Sequence, residues 1–262
     1  MKIIFSDLDG TLLDHDTYSF QEARPALELI KQKKIPLIIC TSKTRAEIEY
    51  YRRLLKNSHP FISENGGALF IPSGYFDFNF TFQKKINNYL VIELGMPYKT
   101  LRRSLQEIKK AGFEIKGFGD MSIEEVAEDT GLSLEQAELA KQREYDEAFR
   151  LIEGEEEKLI KFIKEKGLNY TKGGRYFHLM GNNDKGKAVR IMTELLKQKY
   201  TNLITIGLGD SENDFKMLDE VTIPYLVMRK NKSYASDKYQ KARGIGPQGW
   251  NLAVKKEIKN DL

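Results

Sequence analysis

The sequence predicts an α/β fold in which a largely parallel sheet is interrupted by a second, inserted α/β unit. Three observations predict it. Short apolar runs alternate with amphipathic stretches over the first 70 residues, as they do when helices cover both faces of a parallel sheet. The residues able to do chemistry fall just after those runs, where open α/β sheets place their ligands. From Tyr89 to Met180 the simple alternation stops, and the order becomes strand, helix, strand, two helices, strand, helix, strand, strand.

The elements follow in order. Lys2-Ile3-Ile4 opens a strand that ends in Asp7-Leu8-Asp9-Gly10-Thr11. Glu22–Lys33 and Arg45–Lys56 carry apolar residues at helical spacing and bracket the strand Ile35–Cys40. Pro60–Ser63 and Ala68–Ile71 are strands joined across the turn signal Asn65-Gly-Gly67. Val91–Leu94 starts the middle region, whose helices are Tyr98–Lys110, Ser122–Asp129 and Leu134–Gln142. Thr44-x-x-Glu47, Ser122-x-x-Glu125 and Ser133-x-x-Gln136 have the spacing of capping boxes. A strand over Glu144–Leu151 and a helix over Glu155–Glu165 precede a hairpin, Leu168–Thr171 with Arg175–Met180. Helix Asp184–Gln198, strands Leu203–Ile206 and Val221–Val227, and a helix from Trp250 complete the chain, with 229–247 read as surface loop plus a short helix.

Asp7 and Asp9 carry the first chemical inference. In an extended chain residues i and i+2 point to one side, so both carboxyls can reach one substrate. A carboxylate can attack phosphorus and divide a slow hydrolysis into two easier steps. A second, protonated carboxyl can donate to the leaving oxygen and then take a proton from water. Gly181-Asn-Asn-Asp-Lys-Gly-Lys187 fits the G-x-x-x-x-G-K of a nucleotide-binding loop, but Ala188 stands where a Ser or Thr is required. That reading is set aside.

The D-x-D-G-T of residues 7–11 resembles the first motif of the haloacid dehalogenase superfamily, and Gly209-Asp210-Ser-Glu-Asn-Asp214 its fourth, in the form typical of Cof-type members. Thr41 matches the second-motif residue that bonds the transferring phosphoryl group, and Lys185 the third-motif lysine. Many Cof-type relatives have Gly-Arg where this chain has Ser42-Lys43. The resemblance implies a Rossmann-like core (1–84 and 181–262) with an inserted type-II cap (85–180). It implies catalytic roles for Asp7, Asp9, Thr41 and Lys185, and a Mg²⁺ site formed by Asp7, Asp9 (through its main-chain carbonyl), Asp210 and Asp214. Like charges about 4 Å apart repel by roughly 4 kcal/mol at an effective dielectric near 20; hard oxygen ligands of that kind suit Mg²⁺.

Further stretches are similar to a narrower family, the mannosyl-3-phosphoglycerate phosphatases: Thr41–Arg52, Pro60–Gly66, Ile71–Phe76, Val91–Gly95, Arg143–Glu147 and Gly181–Ala188. That family's small phosphorylated sugar-glycerate substrate carries a carboxylate, for which Arg143 and Arg175 are candidates. Asn65, next to two glycines, is a candidate for bonding sugar hydroxyls or the leaving side, and Ser42, Lys43 and Asn213 complete the expected substrate contacts. Alternatives on the same scaffold are a phosphatase of glucosyl-3-phosphoglycerate or sucrose phosphate, a phosphomannomutase-like isomerase, and a non-catalytic sugar-phosphate-binding regulator.

Composition narrows the rest. A net charge of +4 spread among acidic residues, with pI about 8.8, fits a small anionic substrate and not a nucleic-acid partner. The single cysteine, Cys40, allows no internal disulfide. No apolar run approaches the roughly 18 residues of a membrane span. A strand beginning at residue 2 leaves no room for a signal peptide, so a cytoplasmic location is expected.

Overall fold

The computed structural model describes residues 1–173 and 176–259. At its centre is β1 (Lys2–Ser6), whose Ile3, Ile4 and Phe5 are fully buried. The run is continuously apolar because it is covered on both faces. It pairs in parallel with β2 (Leu37–Cys40) on one side and with a late strand, Ile204–Gly209, on the other. Side chains alternate between two cores. Ile4 joins α1 (Arg24–Gln32), α2 (Arg45–Leu55) and the C-terminal helix through Ile30, Ile48 and Val254. Ile3 and Phe5 join the helix Lys185–Lys199 through Val189 and Met192 on the opposite face. Trp250 of the C-terminal helix donates from Nε1 to Ser6 Oγ at 3.0 Å, tying that helix to β1.

The first half continues through β3 (Phe61–Ser63), β4 (Ala68–Pro72), β5 (Lys84–Ile86) and β6 (Tyr89–Glu93). The chain then forms α3 (Tyr98–Lys110), β7 (Glu114–Gly117), α4 (Ile123–Thr130), α5 (Leu134–Lys141), β8 (Asp146–Glu153), α6 (Glu156–Glu165), β9 (Asn169–Gly173) and β10 (Tyr176–Met180). It returns with α7 (Lys185–Lys199), β11 (Ile204–Gly209), α8 (Phe215–Leu218), β12 (Ile223–Met228), β13 (Gln240–Ile245) and α9 (Gly246–Lys259).

Two sheets result. The larger has the order β13-β12-β11-β1-β2-β3-β4-β6-β5; it is parallel from β13 to β3 and antiparallel beyond. The smaller, β7-β8-β10-β9, is antiparallel throughout. Phe149, Phe177 and Leu179 face α3 and α6. Ala148, on the alternate face of β8, meets Val126, Ala137 and Ala140 of α4 and α5. All three expected capping boxes form, at Thr44/Glu47, Ser122/Glu125 and Ser133/Gln136.

Three strands depart from the sequence reading, among them the short edge strand β5, for which no strand was expected. The segment around Val91, expected to open the inserted unit, pairs with β4 and extends the large sheet. β13 lies inside the stretch read as loop and short helix. Its Lys and Arg side chains face outward, only Ala242 is buried within the strand, and Gly244 has φ +102°, so it carries no strand-like apolar alternation. Among the described residues no helix is long and apolar enough to cross a membrane.

The order of strands reverses at β1. β2 and β3 extend one way from it, and β11, β12 and β13 the other. The carboxyl ends of β1, β2 and β11 therefore flank a crevice of the kind in which open α/β sheets hold ligands.

Candidate active site

Each of those strand ends delivers a polar residue. Asp7 follows β1 directly, and its N–H continues the ladder to Leu208 O at 3.0 Å. Beyond it the chain turns through Gly10, with Thr11 N and Leu13 N both donating to Leu8 O. Gly10 is at φ +69°, and a Cβ there would lie 2.8 Å from Asp210 Oδ2. Glycine is needed for both the conformation and the approach. Thr41 is buried at the end of β2, and Asp210 follows β11.

Asp7, Asp210 and Asp214 each offer one oxygen to a group in which all three atoms lie within 4.8 Å of one another. Lys185, 1% exposed, reaches into the same group. Its Nζ is 2.8 Å from Asp7 Oδ1 and 2.6 Å from Asp214 Oδ1. Burial alone would depress this ammonium; Asp214 and Asp7 outweigh it and hold it above the ordinary lysine value. Burial pushes Asp214 up to about 6, despite Lys185. Asp210 is raised by burial first, then by the charges of Asp214 and Asp7. Three carboxylates held together, with Asp210 and Asp214 pushed toward protonation, offer hard oxygens in a donor set suited to a small divalent cation.

The second oxygen of Asp214 accepts from Asp210 N (3.0 Å) and Ser211 N (3.2 Å). With Oδ1 on Lys185, both oxygens of Asp214 are already engaged. Gly209 makes this possible: a Cβ there would be 2.4 Å from Asp214 Cβ. Arg229, which sequence reasoning missed, donates to Asp210 O at 2.9 Å. No motif marks it, because it sits one residue past β12 in an otherwise polar stretch.

Asp9 stands apart from this cluster. Its carboxylate is 3.0 Å from Lys43 Nζ, which also lies 3.2 Å from Glu47 Oε1. Withdrawal from water pushes Asp9 above the usual carboxylate range; the Lys43 charge opposes this and Asp7 adds to it.

The expected substrate residues fall into two groups. Asn65 and Asn213 line a cavity of about 140 Å³ with Asp184, Lys185 and the β9 residues Asn169 and Thr171, so the smaller sheet forms one wall. Ser42 and Arg143 are instead joined to each other. Arg143 donates to Ser42 O (3.3 Å) and Asp146 Oδ1 (3.0 Å). Arg175 lies outside the described residues. Asp146 also accepts from Asn65 Nδ2 (2.8 Å) and contacts His178 Nδ1 (2.9 Å). Burial opposes its ionisation, but His178 and Arg143 hold it below the usual range. His178 and Asp146 were not picked out from sequence; only the spacing of His178 on a strand otherwise apolar over Phe177–Met180 hinted at it. Glu64, buried, accepts the N–H groups of Glu144 and Tyr145, and burial pushes it up to about 8.

Fold and site together define a capped α/β protein whose parallel strand ends present an aspartate, a lysine and a carboxylate cluster to one point. The family model for haloacid dehalogenase-like hydrolases matches residues 4–236, and the chain belongs to that family. It is 56% identical to a glucosyl-3-phosphoglycerate/mannosyl-3-phosphoglycerate phosphatase of Methanococcoides burtonii, over 96% of this chain and 95% of the relative. A Persephonella marina protein of the same description is 46% identical, with 96% and 95% covered. A mannosyl-3-phosphoglycerate phosphatase of Pyrococcus furiosus is 40% identical, with 87% and 91% covered. Among solved structures, one from Thermoplasma acidophilum superposes with a TM-score of 0.70 at 17% identity, covering 98% of this chain and 97% of that one. The subclass IIB sugar phosphatase BT4131 does so at 0.64 and 18%, covering 100% and 99%. These two bear on the fold alone.

Proposed function

We propose that the protein is a Mg²⁺-dependent phosphatase that hydrolyses mannosyl-3-phosphoglycerate to mannosylglycerate and phosphate through an aspartyl-phosphate. The observation that carries the reading is the convergence of Asp7, Asp210, Asp214 and Lys185, from distant parts of the chain, on one point at the switch in strand order. Residues 1–93 and 181–262, which carry the large sheet, serve as the catalytic core and 98–180 as the specificity cap.

Asp7 forms an O–P bond in line as the bond from phosphorus to the glycerate oxygen breaks. The electron pair of the broken bond goes to that oxygen, which takes a proton from Asp9. Asp9 then accepts a proton from water as the water attacks the aspartyl-phosphate and returns the Asp7 carboxylate. Thr41 donates to the phosphoryl oxygens, and Lys185 offsets the charge between nucleophile and phosphoryl group. When bound, Mg²⁺ would be held by Asp7, the Asp9 carbonyl and Asp210, supported by Asp214, and would supply screening of negative charge. The organic part of the substrate lies in the cavity bounded by Asn65, Asn213 and β9, with Arg175 as a partner for the carboxylate. The M. burtonii and P. marina relatives, described as acting on both sugars, favour glucosyl-3-phosphoglycerate as a second substrate.

The test is phosphate release from both glycosyl-phosphoglycerates, with Mg²⁺ and after exhaustive chelation. Wild type is expected to release phosphate only with the metal, and Asp7→Asn to lose activity by about 10³-fold or more. Near-wild-type turnover of Asp7→Asn would overturn the nucleophile assignment. Interconversion of sugar phosphates with little phosphate released would favour the mutase.

A further inference from the structure

Lys43 has the sequence position of a substrate contact and the surroundings of something else. It is 6% exposed. Its ammonium lies between the carboxylates of Asp9 (3.0 Å) and Glu47 (3.2 Å) and stands 5.1 Å and 5.7 Å from the ring centroids of Tyr18 and Tyr51. Two carboxylates and two aromatic faces compensate a buried cation as fully as a protein can. Glu47 is itself fixed, because its other oxygen closes the capping box on Thr44 N at 2.9 Å. The ammonium is thus anchored to the first turn of α2, and Asp9 Oδ2 is anchored to it. Asp9 Oδ1 is enclosed and has no hydrogen-bond partner among the described residues.

We infer that Lys43 is a positioning residue for Asp9: it holds the carboxyl through Oδ2 and fixes the plane in which that carboxyl meets the leaving oxygen. This rests on the assignment of Asp9 as the proton donor in the proposed phosphatase reaction. In the step concerned, the Asp7–phosphorus bond forms, the bond from phosphorus to the leaving oxygen breaks, its electron pair stays on that oxygen, and the proton on the Asp9 carboxyl moves to it. A proton donor matters in proportion to how basic the departing oxygen is. Lys43 therefore acts on departure of poor leaving groups and leaves good ones nearly untouched.

A series of substituted phenyl phosphates, from p-nitrophenyl phosphate to unsubstituted phenyl phosphate, with benzyl phosphate as the alkoxide case, separates this from other roles. None carries a sugar or a carboxylate. The readout is kcat/KM, which reports steps through loss of the leaving group, for wild type, Lys43→Met, Lys43→Arg and Asp9→Asn with Mg²⁺. Lys43→Met is expected to lose about 10²-fold on benzyl phosphate and less than about threefold on p-nitrophenyl phosphate, which needs little protonation. Lys43→Arg keeps a cation against Asp9 and is expected to stay within about tenfold of wild type on both.

An equal loss on all substrates in Lys43→Met would overturn the inference in favour of a structural role. So would an unchanged profile, as a substrate contact specific to the sugar-glycerate predicts. If Lys43→Met does not fold, a leaving-group profile in Lys43→Arg as steep as in Asp9→Asn would count equally against it. Asp9→Asn guards the premise: if it shows no leaving-group dependence, the role of Asp9 fails, whatever Lys43 does.

Discussion

Replacing Lys185 by Met removes a buried cation and leaves its two partners behind. The pair distances of 2.8 and 2.6 Å give a gross attraction of about 6 kcal/mol each at an effective dielectric near 20. Most of this offsets the cost of taking the three charges out of water. Cutting one partner out of such a buried set destabilises by about 3–5 kcal/mol, because the remaining charges stay unpaired. Asp7, Asp210 and Asp214 are then three carboxyls with no cation among them. The sign with pH follows. Carboxyls whose folded pKa is raised bind more protons folded than unfolded, so the deficit of Lys185→Met shrinks as pH falls. A divalent ion that binds the three oxygens shrinks it at neutral pH too, by mass action. The assay is urea unfolding of wild type and variant at pH 7.5 and pH 5, with chelator and with millimolar Mg²⁺. A loss below about 1 kcal/mol in chelator, or a deficit indifferent to both pH and Mg²⁺, would refute the electrostatic account of the cluster.

Two other perturbations probe the supports of the site. Gly66 is at φ +82°, and a Cβ there would lie 2.1 Å from the carbonyl oxygen of Asp184, the N-cap of α7. Gly66→Ala is expected to cost at least about 3 kcal/mol, from left-handed strain and overpacking together, with loss of phosphatase activity; a loss under about 1 kcal/mol in urea unfolding with full activity would contradict it. Glu64, pushed up to about 8 by burial, keeps its proton more tightly folded than unfolded. Its contribution to stability is full below about pH 4.3 and is lost as pH rises toward 8. Glu64→Gln is expected to flatten the wild-type fall in stability by up to about 1.4 kcal/mol per pH unit across that window, and identical pH profiles of urea midpoints would rule this out.

What the sequence made legible had short-range causes. Asp7, Thr41 and Asp210 stand just past apolar runs, and their convergence follows once those runs are parallel neighbours. The capping boxes are local by nature and formed where their spacing placed them. β13 and β5 were not legible, because edge strands with outward Lys and Arg lack the apolar pattern by which strands are read. The place of β6 was missed because its apolar run says strand without saying which sheet. Pairings such as Arg143 with Ser42, or His178 with Asp146, join residues 101 and 32 positions apart. Nothing in the spacing of such residues announces them, nor the ion pair that sets Lys43 3.0 Å from Asp9.

The bonds from Glu64, Asn65 and Ser42 to residues 143–146 have a consequence for recombination. The inserted unit is not a cassette that can be exchanged at its two chain crossings, because its third attachment is written in core loops on either side of β3. A chimera that imports a foreign insertion while keeping 41–47 and 63–67 depends on the new loop presenting two backbone N–H groups to Glu64 and a side-chain partner to Asn65, whereas one that brings these loops along keeps the seam intact. Drift in specificity among such proteins should therefore leave a paired record, with changes at 146 accompanied by changes at 65, whose side chains bond each other.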